Sequence, residues 1–149
     1  MLNRKTLLDL GFESLASWEI KNGQLDHEPY QTTNHRDLDE LAKRKTILYA
    51  FTDRNKVLCF ARSILGVKKC LNRYRVCMPS SDQPTNLRRA KNIRKSLEKK
   101  KTIETLVFFG DEKFSQDVFS TKLADTLKKI LNAAFQIPKK CQWEDVESD

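Results

Sequence analysis

The chain has 149 residues, of which 39% are hydrophobic and 32% are charged, and its formal net charge is +8. This length and apolar content suit one folded domain with a core and exclude a disordered chain. No segment approaches the roughly 20 apolar residues of a membrane span, and residues 1–10 lack the apolar run of a secretory signal. The positive charge favours a polyanionic partner such as nucleic acid, although a generally basic surface would give the same balance.

The first 45 residues predict a short helix followed by a hairpin. The turn signal Asn22-Gly23 separates predicted strands at 15–21 and 24–30. The polar segment after the hairpin contains one short helical turn, with Leu38 and Leu41 on one side. We treat residues 1–45 as an N-terminal extension that packs on a core domain at 46–143, and we expect residues 144–149 to be an acidic, solvated tail.

The core domain shows β-branched and aromatic runs for strands and helical spacing of apolar residues for helices. The predicted elements are a strand at 46–52, a returning strand at 56–62, helices at 65–75 and 85–99, a strand at 103–109 and a helix at 121–135. The run at 103–109 is almost entirely apolar, which predicts the buried middle of the sheet. The expected fold class is α+β, with a small, mostly antiparallel sheet flanked by helices.

The last helix is predicted to bury one apolar stripe against the sheet. Its members are Leu123, Leu127, Ile130, Leu131 and Ala134.

The helix at 85–99 combines an apolar stripe with a cationic face. Arg88, Lys91 and Lys95 share that face, and Glu98 is the helix's one acid. Phosphates contacted by such a face release counterions on binding, whereas the alternative is an ordinary solvated helix surface. The predicted nucleic-acid-binding residues are Arg62, Lys68, Lys69, Arg73, Arg88, Arg89, Lys91, Arg94 and Lys95.

The stretch TILYAFTDRNKVLCFARSILGVKKCLNRY, from Thr46 to Tyr74, resembles the beginning of a GIY-YIG nuclease domain. The pieces TNLRRAKNIRKSLEKKKTIETLVFF and KLADTLKKILNAAFQIP resemble the family's second helix with its third strand and the family's last helix. The similarity covers nearly the whole chain and is closest to the compact bacterial and phage branch related to restriction endonucleases. The resemblance implies phosphodiester cleavage by tyrosines, a helix arginine and a glutamate-bound divalent metal, with an asparagine that orients the site.

Most positions that would carry this chemistry hold other residues. The first tyrosine is kept as Tyr49, but the resemblance places Lys128 at the metal-binding glutamate. Lysine has no acceptor atom and repels a divalent cation. The resemblance implies a vestigial pocket in which the second tyrosine, its following glycine, the helix arginine and the asparagine are also replaced: Tyr49, Cys59, Ala61, Cys70, Lys128 and Cys141.

Two substitutes for the lost residues are left open. A shift of the alignment by one residue would place Lys69 at the arginine position, and Asp125 is the acid nearest the glutamate position. The cysteines around the implied pocket could hold zinc or form a disulfide, but filling of a vestigial pocket is the simpler interpretation. The four cysteines show no CxxC pair, which predicts free thiols and a cytoplasmic location.

The leading functional hypothesis is a catalytically inactive GIY-YIG homologue. We expect it to bind nucleic acid, above all duplex DNA, or an acidic protein surface, with no catalytic residues, metal or cofactor and no membrane partner. Such a chain would act as a decoy, a regulator or a non-cleaving subunit in restriction, repair or phage–host conflict. One alternative is an active, divergent DNA endonuclease that uses Mg or Mn. The other is a protein-interaction or inhibitor module without nucleic-acid binding.

Overall fold

A computed structural model describes residues 2–27, 47–63, 67–75, 84–108 and 121–137. Within these ranges, no helix is long and apolar enough to cross a membrane. The helices and strands in chain order are α1 (Arg4–Asp9), β1 (Phe12–Lys21), β2 (Gln24–His27), β3 (Ile47–Asp53), β4 (Lys56–Ser63), α2 (Val67–Arg75), α3 (Pro84–Glu98), β5 (Ile103–Phe108) and α4 (Thr121–Ala134).

The described strands form one five-stranded sheet in the order β2-β1-β5-β3-β4, and every pair of neighbours is antiparallel. The predicted α+β fold class is therefore confirmed, and β5 lies in the middle of the sheet as its apolar run predicted. Because β1 pairs with β5, residues 12–27 are part of the same sheet as the later strands. The proposed boundary at 45/46, the short turn at Leu38 and Leu41, and the tail at 144–149 lie outside the described residues.

Tight turns close both hairpins where the sequence predicted them. Asn22 and Gly23 have φ values of 53° and 77°, the left-handed conformation that a two-residue hairpin turn requires. In the second hairpin Arg54 has a φ of 56°. Helix α1 begins with a capping box: the backbone amide of Thr6 donates to Asn3 Oδ1, and the backbone amide of Asn3 donates to Thr6 Oγ1. The backbone amide of Arg4 also donates to the carbonyl of Asn55, which ties α1 to the β3–β4 turn.

Helices cover the two faces of the sheet in pairs. Helices α2 and α3 contribute Leu71, Tyr74 and Ile93 to a core on one face, whereas α1 and α4 contribute Leu7 and Ala124 to a core on the other. Side chains alternate along β3: Ile47, Tyr49 and Phe51 belong to the first core and Leu48 and Ala50 to the second. This alternation directs the Tyr49 side chain toward α2 and α3.

The apolar stripe predicted for α4 is partly wrong. Leu127 and Leu131 pack against the core as expected, but Ile130 is 56% exposed and Ala134 is exposed. The helix packs mainly on the edge strand β4, so a narrow line of residues that includes the fully buried Ala124 faces the sheet. The side chain of Leu123 lies outside the described residues.

Candidate functional site at a buried tyrosine pair

Two tyrosines and an arginine from three different elements meet between the sheet and its helices. Tyr49 on β3 and Tyr74 on α2 share a hydrogen bond with 2.5 Å between their hydroxyl oxygens. Arg89 on α3 donates through Nη1 to the same two oxygens, at 3.4 Å to Tyr49 and 3.3 Å to Tyr74. We call these three residues the tyrosine–arginine cluster.

The tyrosine–arginine cluster is almost completely buried. Tyr49 and Tyr74 are each 2% exposed, Arg89 is 6% exposed, and Cys59, which lies in the same core, is 0% exposed. Burial lowers the pKa of the Arg89 guanidinium, but Tyr49, Tyr74 and Cys59 raise it further, so its net pKa lies well above the usual value. Arg89 is thus a permanent buried cation, and its charge favours negative charge on the neighbouring phenol oxygens.

Aromatic contacts fix the positions of both tyrosine rings. Phe51 packs edge-on against both Tyr49 and Tyr74, with ring centroids 5.7 Å apart in each case. Trp18 on β1 contacts Tyr74 in the same manner at 6.3 Å. Such edge-to-face arrangements are favourable geometries for aromatic pairs. The hydroxyl groups therefore meet because the rings are held from several sides of the core.

The described residues bring together part of the pocket that the resemblance implied. Tyr49, Cys59 and Ala61 lie on one sheet face, where Tyr49 pairs directly with Ala61 across the hairpin. Lys128 lies on α4, whose apolar residues pack against the opposite face of the sheet. The Cys70 side chain and the whole of Cys141 lie outside the described residues. The structure thus brings Tyr49, Cys59 and Ala61 together on one face, whereas Lys128 lies on a helix that packs against the other face.

Asp125, the acid considered as a substitute metal ligand, has a cationic partner. Its Oδ1 atom accepts a hydrogen bond from Arg62 Nε at 2.7 Å, and both side chains are partly exposed. The Arg62 charge opposes cation binding at this carboxylate. Within the described ranges, His, Cys, Asp and Glu side chains form no group of three or more suited to a metal ion.

The predicted phosphate-binding cations occupy different environments. Lys69 and Arg73 on α2 and Lys91 and Lys95 on α3 are exposed, and we call these four the cationic surface. Arg89 does not lie at the surface where the prediction placed it, because it faces the core within the tyrosine–arginine cluster.

Three further predicted cations differ from the cationic surface. Arg88 is half-buried, and its Nη1 atom has no hydrogen-bond partner within the described residues. Arg94 donates to the backbone carbonyl of Gly23 at 3.1 Å. The Lys68 side chain lies outside the described residues.

Sequence reasoning missed Tyr74 and misplaced Arg89, although helical spacing carried a signal for both. Tyr74 follows the buried Leu71 by three residues, so the two share one face of α2. Arg89 precedes the buried Ile93 by four residues, which likewise places it on the buried side of α3. The prediction nevertheless assigned Arg89 to the surface because of its charge, since arginine is rarely buried without a specific partner.

No protein-family model and no curated protein matches the sequence. The structure is similar to that of the restriction endonuclease HPY188I in complex with product DNA, with a TM-score of 0.54 and 18% sequence identity. The similarity covers 94% of this chain and 86% of the restriction endonuclease chain. At this identity the likeness establishes the fold alone: the chain shares the fold of that restriction endonuclease.

Proposed function

We propose that this chain is a catalytically inactive relative of the GIY-YIG nucleases that binds double-stranded DNA through its cationic surface. The accessibility of Tyr49 gives the strongest support. This tyrosine, kept from the family pattern, is 2% exposed, and its hydroxyl is bonded to Tyr74 inside the core. A phosphodiester has no contact with a hydroxyl in that position, so the residue serves packing in this arrangement.

The surroundings of the expected metal position support the same proposal. Phosphodiester cleavage of the family's type needs a divalent metal held by an acidic side chain. The resemblance aligns Lys128 with the metal-binding glutamate, and the nearby acid Asp125 is paired with Arg62 at 2.7 Å. Two cations in this region make it unfavourable for a divalent ion.

Charge and similarity together support DNA as the ligand. The described part of α2 contains no acid, and α3 contains only Glu98, whereas Lys69, Arg73, Lys91 and Lys95 are exposed. Such cations bind phosphates with release of counterions. The structurally similar restriction endonuclease is in complex with DNA, so the same class of ligand is the natural proposal for this fold.

A second candidate function, metal-dependent DNA cleavage with relocated residues, is favoured by the tyrosine–arginine cluster. Tyr74 supplies a second phenol beside Tyr49, and Arg89 supplies the cation that the helix position of Cys70 lacks. A guanidinium near a phenol stabilises the phenolate, which is the form a nucleophile or base requires. Cleavage would require α2 and α3 to separate from the sheet so that a phosphodiester can reach these oxygens.

One experiment with two measurements separates these functions. Supercoiled plasmid is incubated with the protein in Mg²⁺ or Mn²⁺, and binding of a short mixed-sequence duplex is measured at low salt. We expect binding without cleavage. Nicking by the wild type that disappears in both Tyr49→Phe and Arg89→Met would overturn the proposed inactivity and establish the second candidate. Absence of duplex binding at low salt would overturn the DNA proposal and favour a protein-interaction module.

A further inference from the structure

The tip of the β1–β2 hairpin is exposed and lies directly beside the cationic helix α3. Residues Lys21, Asn22, Gly23 and Gln24 are all exposed. The guanidinium of Arg94 on α3 donates to the backbone carbonyl of Gly23 at 3.1 Å. This hydrogen bond therefore joins the hairpin tip to the helix that carries Lys91 and Lys95.

A second set of contacts holds the body of the hairpin. Arg75 on α2 forms an ion pair with Asp26 on β2, with 2.9 Å between Nε and Oδ1. Trp18 on β1 donates from its indole nitrogen to the buried hydroxyl of Thr105 at 2.8 Å and packs against the His27 ring at 5.1 Å. Leu25 on β2 is 5% exposed and belongs to the core beneath α2 and α3. These contacts attach the hairpin to α2 and β5 and so set the position of its tip beside α3.

The hairpin tip presents groups that recognise polar edges. Asn22 and Gln24 each offer an amide donor and an amide acceptor, and Lys21 adds a positive charge. A side chain at Gly23 would meet no atom within 4 Å, so the space around the turn is open. Asp26, the acid nearest the tip on β2, is already paired with Arg75.

The turn by itself does not indicate binding, because Asn-Gly is favoured in two-residue hairpins for backbone reasons. Two further observations do. The turn does not require an amide at Gln24 or a cation at Lys21, yet both residues are exposed beside Asn22 at the end of the ribbon. In addition, Arg94 holds the ribbon's end against a helix of exposed cations. A tip of this chemistry beside a phosphate-binding helix fits a nucleic-acid groove.

We propose that the hairpin tip enters the major groove of B-form DNA, with Asn22 and Gln24 contacting base edges while Lys91 and Lys95 contact flanking phosphates. This inference rests on the proposed function and adds to it the structural element that recognises the base sequence of the DNA. The major groove of B-form DNA admits a two-stranded β-ribbon, and Asn or Gln pairs with adenine there through two hydrogen bonds. A-form RNA is a poor fit, because its major groove is too narrow and deep for side chains to read.

The test replaces the amides without changing the turn. In the tip variant, Asn22→Asp with Gln24→Glu, the Asp-Gly turn keeps the same preference, and two amide donors become carboxylates. The matched control adds the same two charges to exposed positions near the end of α4, on the other face of the sheet: Ala133→Glu with Gln136→Glu. Duplexes selected by the wild type from a randomised DNA pool serve as the probe.

We expect the tip variant to bind the selected duplex about tenfold or more weakly than the control and to lose the selected base preference. The single variant Lys21→Gln leaves the turn untouched and should lower the salt slope of binding by about one. Unfolding curves of the variants check that the hairpin still forms.

The outcomes separate this inference from the proposed function. If Lys91→Glu with Lys95→Glu weakens binding but the tip variant matches the control, the inference about the tip is overturned and the proposed function stands. If selection yields no base preference and the tip variant binds every duplex equally weakly, base reading is overturned. If the wild type binds no duplex DNA, both proposals are overturned. Binding of duplex RNA as tightly as the selected DNA would also overturn the major-groove assignment.

Discussion

Replacing Arg89 by methionine tests the coupling within the tyrosine–arginine cluster. Methionine has a comparable length and no charge, so Arg89→Met removes both donations to the phenol oxygens with little loss of volume. Hydrogen bonds to charged groups contribute about 1.5–3 kcal/mol each. The distances of 3.4 and 3.3 Å are long for such bonds, so we expect the two bonds together to contribute about 1.5 kcal/mol, the lower end of the range for one bond. In the background Tyr49→Phe with Tyr74→Phe, both phenol acceptors are absent. There the loss of unfolding free energy caused by Arg89→Met should be smaller than in the wild type by about 1–2 kcal/mol.

Urea unfolding at constant ionic strength measures this coupling as a double-mutant cycle, with far-UV circular dichroism as the probe, since it does not depend on the substituted rings. Thr52→Val is the matched control for loss of a buried hydroxyl. Thr52 is 0% exposed, and its Oγ1 has no hydrogen-bond partner within the described residues. This variant should therefore retain or gain stability. A coupling below about 0.5 kcal/mol, which is the ordinary error of additivity, would refute the cluster as an interacting unit.

Two further predictions concern the cluster's neighbour and the hairpin. Cys59→Tyr places a tyrosine where the resemblance has the family's second one. It should lower the free energy of unfolding by about 1–3 kcal/mol, because Cys59 is 0% exposed and the packed core must shift to hold a ring. Chemical unfolding that shows no loss of stability would contradict this close packing. The pKa of Asp26 is lowered from its usual 3.8 by the hydrogen bond from the His27 backbone and by Arg75. Since a lowered pKa contributes stability that is lost as pH falls through the folded-state value, unfolding curves of the wild type and Asp26→Asn should differ near neutral pH and converge well below pH 3.8. An unchanged difference at acidic pH would contradict stabilisation of the ionised Asp26 carboxylate by the His27 amide and Arg75.

Much of the fold could be predicted from local sequence signals, because a turn or an apolar run is determined by residues that are adjacent in the chain. The Asn22-Gly23 turn specified the first hairpin, and the apolar run at 103–109 placed β5 in the middle of the sheet. The exposed Ile130 was misassigned because helical periodicity identifies an apolar face but not how wide a surface the sheet offers it.

The site was less predictable because it is assembled from distant elements. Tyr49, Tyr74 and Arg89 come from β3, α2 and α3, and sequence spacing does not report which side chains meet across such elements. The resemblance to a family pattern aligns Cys70 with an arginine, but it does not show that Arg89 on another helix lies beside Tyr49.

The salt dependence of DNA binding tests the central proposal most directly. One duplex is titrated at several salt concentrations with three proteins. These are the wild type, the α3 variant Lys91→Glu with Lys95→Glu, and a control with the same charge change on α1 and α4, Lys5→Glu with Lys129→Glu. All four lysines are exposed. The logarithm of the binding constant falls against the logarithm of salt by about 0.9 per phosphate contact. The proposal predicts a slope reduced by about two for the α3 variant and unchanged for the control. Equal slopes for all three proteins would contradict it.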